Sequence, residues 1–269
     1  AGMKSLVVAV GVYNTILWRS MLATAVSASA FGVKSRSLPS WRVLRLHVLR
    51  AAVVGIVLLS FFWGLARLPL AVAIGLSFIA PLIALFLAAL LLRERIRAAA
   101  VSASVLGFAG VGVILAGQFH GGSSSSDALL GTLSILVSTV FYGYNLVLTR
   151  QQAQLAKPIE IMFFQNLSLL VILALAAPWL AVALPREYWL PLAGVTALSL
   201  SGQYLMSWSY ARAEAQYLIT TEYTAFVWAV ALGWYFFGEG VSWATVAGAV
   251  LIITGCWIAA RAGTRPAER

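Results

Sequence analysis

One carboxylate, Glu222, stands more than a helical turn inside a long apolar stretch of this sequence, and hydroxyl and amide side chains recur at helical spacing nearby. Ser134, Ser138, Tyr142, Asn145 and Thr149 are separated by four, four, three and four positions, which places them on one helix face. A second stripe is formed by Thr196, Ser199, Gln203, Ser207 and Tyr210. A third stretch carries Tyr217, Thr221, Glu222, Tyr223 and Thr224. Such groups can line a wet cavity and meet the polar ends of a solute. They can also bridge helices, at about 0.6 kcal/mol each. Two long stripes exceed what bridging requires, so a lining is the favoured reading. Glu222 then holds a substrate amine or carries a coupling proton; the competing reading pairs it with Arg212 near the inner membrane face. In an internal alignment its counterpart is Ser77.

Aromatic rings are the other candidate lining. Phe61, Phe62, Trp63, Phe78, Tyr142, Tyr204, Trp208, Tyr223 and Phe226 fall in or beside the same stretches, where rings can sandwich an apolar side chain or attract a cation. Trp41, Trp179, Trp189 and Trp243 fit an interfacial belt instead. The candidate substrate-binding set is therefore Ser138, Tyr142, Asn145, Gln203, Ser207, Trp63, Ser77, Phe78, Glu222, Tyr223 and Phe226. Pro81 removes a backbone donor and is expected to kink its helix toward that site.

The inventory argues against catalysis. Only His47 and His120 are present, read as lying in a basic loop region and in a polar linker, so no midplane histidine dyad can be assembled. The single cysteine, Cys256, leaves no disulfide framework and no thiolate metal site. No catalytic, metal or cofactor residue is assigned, and no phosphate-binding lysine loop is present. A membrane-embedded enzyme is the rival class. A channel would want a charged ring or an arginine-rich sensor helix, and neither is evident.

The elements that position these residues follow from composition. Hydrophobic residues make up 62% of the 269 and charged residues only 10%, against roughly 25% in soluble domains. Apolar stretches recur at 13–33, 47–66, 70–92, 98–117, 128–149, 158–181, 188–210, 217–237 and 243–260. Each is long enough to cross a hydrocarbon core about 30 Å thick. Continuous apolar runs without alternation exclude a barrel, so the expected fold is an all-α polytopic membrane protein. The net charge of +10 sits in loops, which reads as membrane topology and not as nucleic-acid binding. Residues 120–127 (HGGSSSSD) form a flexible polar linker.

An internal repeat sets the expected architecture. GLARLPLAVAIGLSFIAPLIALFLAALLLRERI, beginning at Gly64, lies without a gap over SYARAEAQYLITTEYTAFVWAVALGWYFFGEGV, beginning at Ser209, so that Glu94 meets Glu239 and Gly110 meets Gly255. Glu94 and Glu239 are read as repeated helix-end structure in preference to gates. The glycines Gly107, Gly110, Gly112, Gly248 and Gly255 are read as sites of close helix approach. The halves are 1–121 and 122–269. Residues 1–9 correspond to the end of a span and its following loop, which implies that most of a first helix is missing here and that the complete protein has ten helices in two inverted repeats of five. An odd number per repeat reverses the second half in the membrane. The basic residues agree: Lys34, Arg36, Arg42, Arg45, Arg50, Arg93, Arg95, Arg97 and Arg150 gather on one side with Lys157, Arg212, Arg261, Arg265 and Arg269, and only Lys4, Arg67 and Arg186 on the other. Arg19 lies inside a span near its outer end, either sealing that end or facing a partner carboxylate.

These residues resemble a known family. RLPLAVAIGLSFIAPLIALFLAALLLRERI, the partner segment ending FFGEGV, Arg19 within ILWRSML and the glycine-spaced VLGFAGVGVILAG are similar to the paired repeats of the drug/metabolite transporter (DMT) superfamily, EamA type. The resemblance implies a secondary transporter moving a small-molecule substrate, foremost amino acids, with the aromatic amino acid exporters of the YddG kind as a neighbouring group. It implies alternating access as exporter or exchanger, with a multidrug or other metabolite carrier of the same fold as the alternative. The expected partners are the lipid bilayer, a substrate and a coupling proton, with no nucleic acid, in a monomer or homodimer. The expected location is a bacterial inner (plasma) membrane, with the termini of the complete chain cytoplasmic. Cysteines introduced at Ser123 and Ser37 should accordingly react with an impermeant thiol reagent from opposite sides, Ser123 from outside; reaction of both from one side would remove the inverted repeat.

Overall fold

The computed structural model describes residues 2–34, 39–80, 82–84, 86–87, 98–120, 126–210 and 224–263. Every regular element among the described residues is helical. In chain order they are α1 (Gly2–Val10), α2 (Val12–Lys34), α3 (Trp41–Leu65), α4 (Leu70–Ser77), α5 (Ala98–His120), α6 (Ser126–Leu155), α7 (Pro158–Ala174), the short α8 (Ala177–Leu180), a 3-10 turn (Arg186–Tyr188), α9 (Trp189–Tyr210), α10 (Thr224–Phe237) and α11 (Trp243–Gly263). At 1.5 Å per residue, α2, α3, α5, α6, α9 and α11 each exceed about 30 Å, the thickness of a hydrocarbon core.

Exposure along these helices is the reverse of that in a soluble protein. On α6, Leu130, Leu133, Val137 and Val140 are exposed while Thr132, Ser138, Thr139 and Asn145 are buried. On α9, Leu190, Leu198 and Leu205 are exposed while Thr196 and Ser207 are buried. Apolar side chains turn outward because lipid accepts them, and polar ones turn inward because lipid does not. Trp41, Trp179, Trp189 and Trp243, the expected belt residues, are all exposed. This is the pattern of an all-α polytopic membrane protein.

Several boundaries depart from the sequence reading for local reasons. The stretch at 70–92 is interrupted: α4 ends at Ser77, and the amides of Phe78 and Ile79 close short bonds to Gly75 and Leu76. Pro81 has no N–H to offer the Ser77 carbonyl, so the helix cannot run through regularly. The stretch at 158–181 breaks at residues 175–176, ahead of Pro178 in α8. Residues 2–10 are helical where a loop was expected, and the helix ends at Gly11, whose φ of 83° is open to glycine at little cost. α6 runs on to Leu155, well past the expected end at 149.

The chain divides into two compact units. One comprises residues 63–147 and 214–269, the other 2–62 and 148–213. Each unit draws helices from both sequence halves, and the chain passes from one to the other within α3 and within α6.

In the first unit α5 and α11 pair along their lengths. A Cβ on Gly110 would meet the Gly248 carbonyl oxygen at 2.5 Å, and one on Gly248 would meet the Gly110 carbonyl oxygen at 2.5 Å, so the two backbones touch where only glycine fits. The same unit explains Glu239. The Leu70 N–H donates to Glu239 Oε2 at 2.6 Å, capping α4, whose N-cap position is occupied by Pro69 without a side-chain cap. The bond from the Leu70 amide is a helix-end contact of Glu239, made to the start of α4.

In the second unit α2 and α7 pack antiparallel. Tyr13 donates to the Leu173 carbonyl at 2.6 Å, Ile16 and Leu17 pack on Leu169 and Leu173, Ala23 packs on Met162, and Phe31 stacks on Phe163. α9 completes the unit against both helices.

Gly248→Ala should therefore lower the midpoint of thermal unfolding in detergent, because forcing a methyl into packed backbone costs about 1–3 kcal/mol. Gly112→Ala, where an added Cβ meets nothing within 4 Å, should leave the midpoint unchanged or raise it slightly. Equal behaviour of the two variants would contradict the close approach.

Candidate functional site

α6 positions the first polar stripe. Ser138, Asn145 and Thr149 are buried, and Ser134 and Tyr142 are half-buried. All five have polar or ring contacts. α9 positions the second stripe: Thr196 and Ser207 are buried, Ser199 and Gln203 half-buried. Thr196 returns its hydroxyl to the Leu192 carbonyl at 2.7 Å, a back-bond that satisfies it within its own helix. Tyr204 and Trp208 lie on the exposed side of α9 with Leu198 and Leu205, so they are not part of its inward stripe.

Among the sequence-derived candidates, Ser138, Tyr142, Asn145, Trp63, Ser77 and Phe78 belong to the first unit, and Gln203 and Ser207 to the second. Ser77 donates to the Ala73 carbonyl at 2.8 Å at the last turn of α4, and buried Phe78 stands at the break that follows. Trp63 is already engaged. The Arg67 guanidinium lies 3.4 Å from its ring centroid and donates to the Trp63 carbonyl at 2.9 Å, so one ring face is taken by a cation from its own chain. Glu222 and Tyr223 lie outside the described residues, as do Glu94 and Arg212. Phe226 belongs to α10, and its side chain too is outside the description.

The second unit holds polar groups that the sequence reading passed over. Asn166 on α7 donates to Gln203 Oε1 at 2.9 Å and to the Met162 carbonyl at 2.8 Å, tying α7 to α9. Gln165, beside it, is buried with both amide atoms unbonded, and the Asn166 Oδ1 is unbonded as well. Their signal was a Gln-Asn pair inside an apolar run, PIEIMFFQNLSLLVILA, where each polar side chain needs a reason.

His47 is a correction. It lies within α3, fully buried, and not in a loop. Arg50 can only donate, so the Gln152 Oε1 that accepts from it fixes the amide orientation. Gln152 Nε2 then donates to His47 Nδ1 at 2.8 Å, which leaves the imidazole proton on Nε2, 3.5 Å from Glu160 Oε1. The ring stacks on Phe164 at 5.4 Å. These groups join α3, the end of α6 and the start of α7 at one end of the unit. Among the described residues no cluster of three or more His, Cys, Asp or Glu side chains could hold a metal ion.

Buried hydroxyls and amides on helices whose outer faces are apolar can bind and release a solute, and they offer no nucleophile-base pair. The EamA-like transporter family matches residues 1–116 and 129–261. The pseudopaline exporter CntI of Pseudomonas aeruginosa is 29% identical over 212 residues, covering 78% of this chain and 72% of that protein. A riboflavin transporter of Brucella anthropi is 28% identical over 216 residues, covering 77% and 73%. A solved crystal structure superposes with a TM-score of 0.67 at 20% identity, covering 98% of this chain and 95% of that one, which is a likeness of fold. With nearly the whole sequence matched and a membrane-type exposure pattern on α6 and α9, this chain is a membrane transporter belonging to the EamA-like family.

Proposed function

We propose that this transporter carries amino acids, aromatic ones among them, across the bacterial inner membrane by alternating access, as an exporter or exchanger. The observation that carries the reading is the pair of inward hydroxyl and amide stripes on α6 and α9, set in helices whose outward faces are apolar. Such a lining suits a solute with a polar head and an apolar body, because hydrogen bonds replace its hydration while rings and aliphatic groups accept the rest. The binding set we propose is Ser138, Tyr142, Asn145, Gln203, Ser207, Ser77, Phe78, Trp63, Glu222, Tyr223 and Phe226. Halves 1–121 and 122–269 are taken as inverted repeats, with the termini of the complete chain cytoplasmic. Either one copy or a homodimer could carry this mechanism.

A second reading is favoured by the relatives' names. One similar protein is called an exporter of pseudopaline and another a transporter of riboflavin, so larger metabolites are the alternative substrates. Purified protein in proteoliposomes, offered a panel of labelled amino acids and labelled riboflavin, separates the two: accumulation or counterflow of amino acids alone supports the first, of riboflavin alone the second.

Glu222→Gln separates charge from shape at the proposed coupling position. If Glu222 carries protons or holds an amine, the variant should reach the membrane yet lose net transport or its pH dependence. Unchanged rates from roughly pH 5 to 8, a range that would titrate a carboxyl perturbed by its surroundings, would sink the coupling role. Alanine at Gln203 or Tyr142 should instead weaken apparent affinity about tenfold, the loss of one hydrogen bond left unmade, without moving the pH profile.

A further inference from the structure

Arg19 is 5% exposed, and among the described residues it has no carboxylate partner and no hydrogen bond; its Nε is fully enclosed and unbonded. The partner carboxylate expected from the sequence is not met among the described residues. A guanidinium cannot shed its charge at ordinary pH, so burial without a counter-ion is among the costliest arrangements open to a chain in lipid.

The surroundings of Arg19 are equally unsatisfied. Ser20 Oγ, both amide atoms of Gln165 and Asn166 Oδ1 are enclosed without partners, in residues 0%, 3% and 1% exposed. The register of α2 on α7 brings these groups to one level. Ile16 and Leu17 pack on Leu169 and Leu173 at one end, and Ala23 packs on Met162 at the other. Ser20 lies between the first pair and Ala23, and Asn166 between Met162 and Leu169, so the two face each other across the seam. Arg19 and Gln165 each immediately precede a seam residue. In an antiparallel pair those two positions fall on the same side of the seam. Asn166 is held there by its bond to Gln203 of α9.

The chemistry of the vacant partners narrows the ligand. The Arg19 Nε–H and the Gln165 Nε2–H are donors in need of an acceptor, and only an anion also offsets the guanidinium charge. Gln165 Oε1 and Asn166 Oδ1 are acceptors in need of a donor, while Ser20 Oγ can serve either way. An anion alone would leave the two carbonyl oxygens unmet. A cation alone would leave the guanidinium uncompensated. Water would bridge the amides but bring no charge.

We infer that Arg19, Ser20, Gln165 and Asn166 form a head-group site for an α-amino acid, the carboxylate on Arg19 and the Gln165 amide nitrogen, the ammonium on the oxygens of Gln165 and Asn166. The site lies within one compact unit and touches the lining proposed above through the Asn166–Gln203 bond. It deepens the amino acid reading and rests on it.

The test is thermal unfolding of the purified full chain in detergent with L-phenylalanine, L-leucine or L-threonine, each beside its amide, and with 3-phenylpropionate, a carboxylate lacking the amine. At least one amino acid should raise the Tm, its amide and 3-phenylpropionate much less. Arg19→Gln should weaken the amino acid response at least about tenfold in ligand concentration, with part of it kept in Arg19→Lys. Should Arg19→Gln fail to fold, Gln165→Glu decides: an acid there pairs with Arg19 in place of the substrate, so the ligand-free Tm should rise and the response vanish. Equal response to acid and amide, undiminished response in Arg19→Gln or Gln165→Glu, or no response to any probe overturns the site. Transport of amino acids in proteoliposomes with a Tm response blind to both variants sinks the site and leaves the substrate reading. Arg19-dependent stabilisation by 3-phenylpropionate equal to that by the amino acids, with no amino acid transport, sinks the amino acid reading and leaves an anion site.

Discussion

Lipid offers no hydrogen bonds, and each backbone or side-chain polar group of this chain must find its partner inside the protein. The consequences run from the longest helix to single atoms. Backbone amides bond within helices. Hydroxyls such as Thr139, Thr196 and Ser77 return to the carbonyl four residues earlier in their own helix. Where a helix must start without a local cap, the partner comes from elsewhere, as when Glu239 receives the Leu70 amide. Among the described residues the enclosed side-chain atoms left unsatisfied after this accounting belong to Arg19, Ser20, His47, Gln165 and Asn166, and all but His47 fall at one level of α2 and α7.

Hydrophobic burial gives little drive for helices to associate in a bilayer, since lipid is as apolar as leucine. Close packing must supply it. The reciprocal contact of Gly110 and Gly248 lets dispersion act between two backbones, and Gly64, where a Cβ would meet the Gly131 carbonyl oxygen at 2.6 Å, repeats the device between α3 and α6. In the second unit larger side chains do the same work, with Ile16, Leu17 and Ala51 locked against Leu169 and Leu173. The polar level of Arg19 and Gln165 is thus held between two tightly packed apolar levels. Such a frame keeps unsatisfied groups from relaxing onto one another.

The buried network of Arg50, Gln152 and His47 shows the complementary solution. Arg50 donates to Gln152 and Gln152 to His47 in an order dictated by arginine, which can only donate, so the amide and the imidazole tautomer follow, and His47 Nε2 faces Glu160 at 3.5 Å without a hydrogen bond. Three helix ends are joined by groups that neutralise one another's needs. The contrast with Arg19 separates polar groups that bond one another from enclosed polar groups that have no partner among the described residues.

The class of the protein was legible in the sequence because lipid tests composition and run length, both local quantities: nine apolar stretches, polar stripes at helical spacing on α6 and α9, and the expected interfacial tryptophans were all readable along the chain. The same shift that carries the start of α5 at Ala98 onto the start of α11 at Trp243 carries the end of α3 at Leu65 onto the end of α9 at Tyr210. What the sequence could not decide is which helices meet. The compact units take helices from both halves, so Gln165 and Asn166 acquire their significance only from α2 and α9 packed beside them. His47 looked like a loop residue because four basic side chains, Lys34, Arg36, Arg42 and Arg45, precede it. Its burial depends on Gln152, more than a hundred positions away, and contacts over such separations are set by packing and not by pattern.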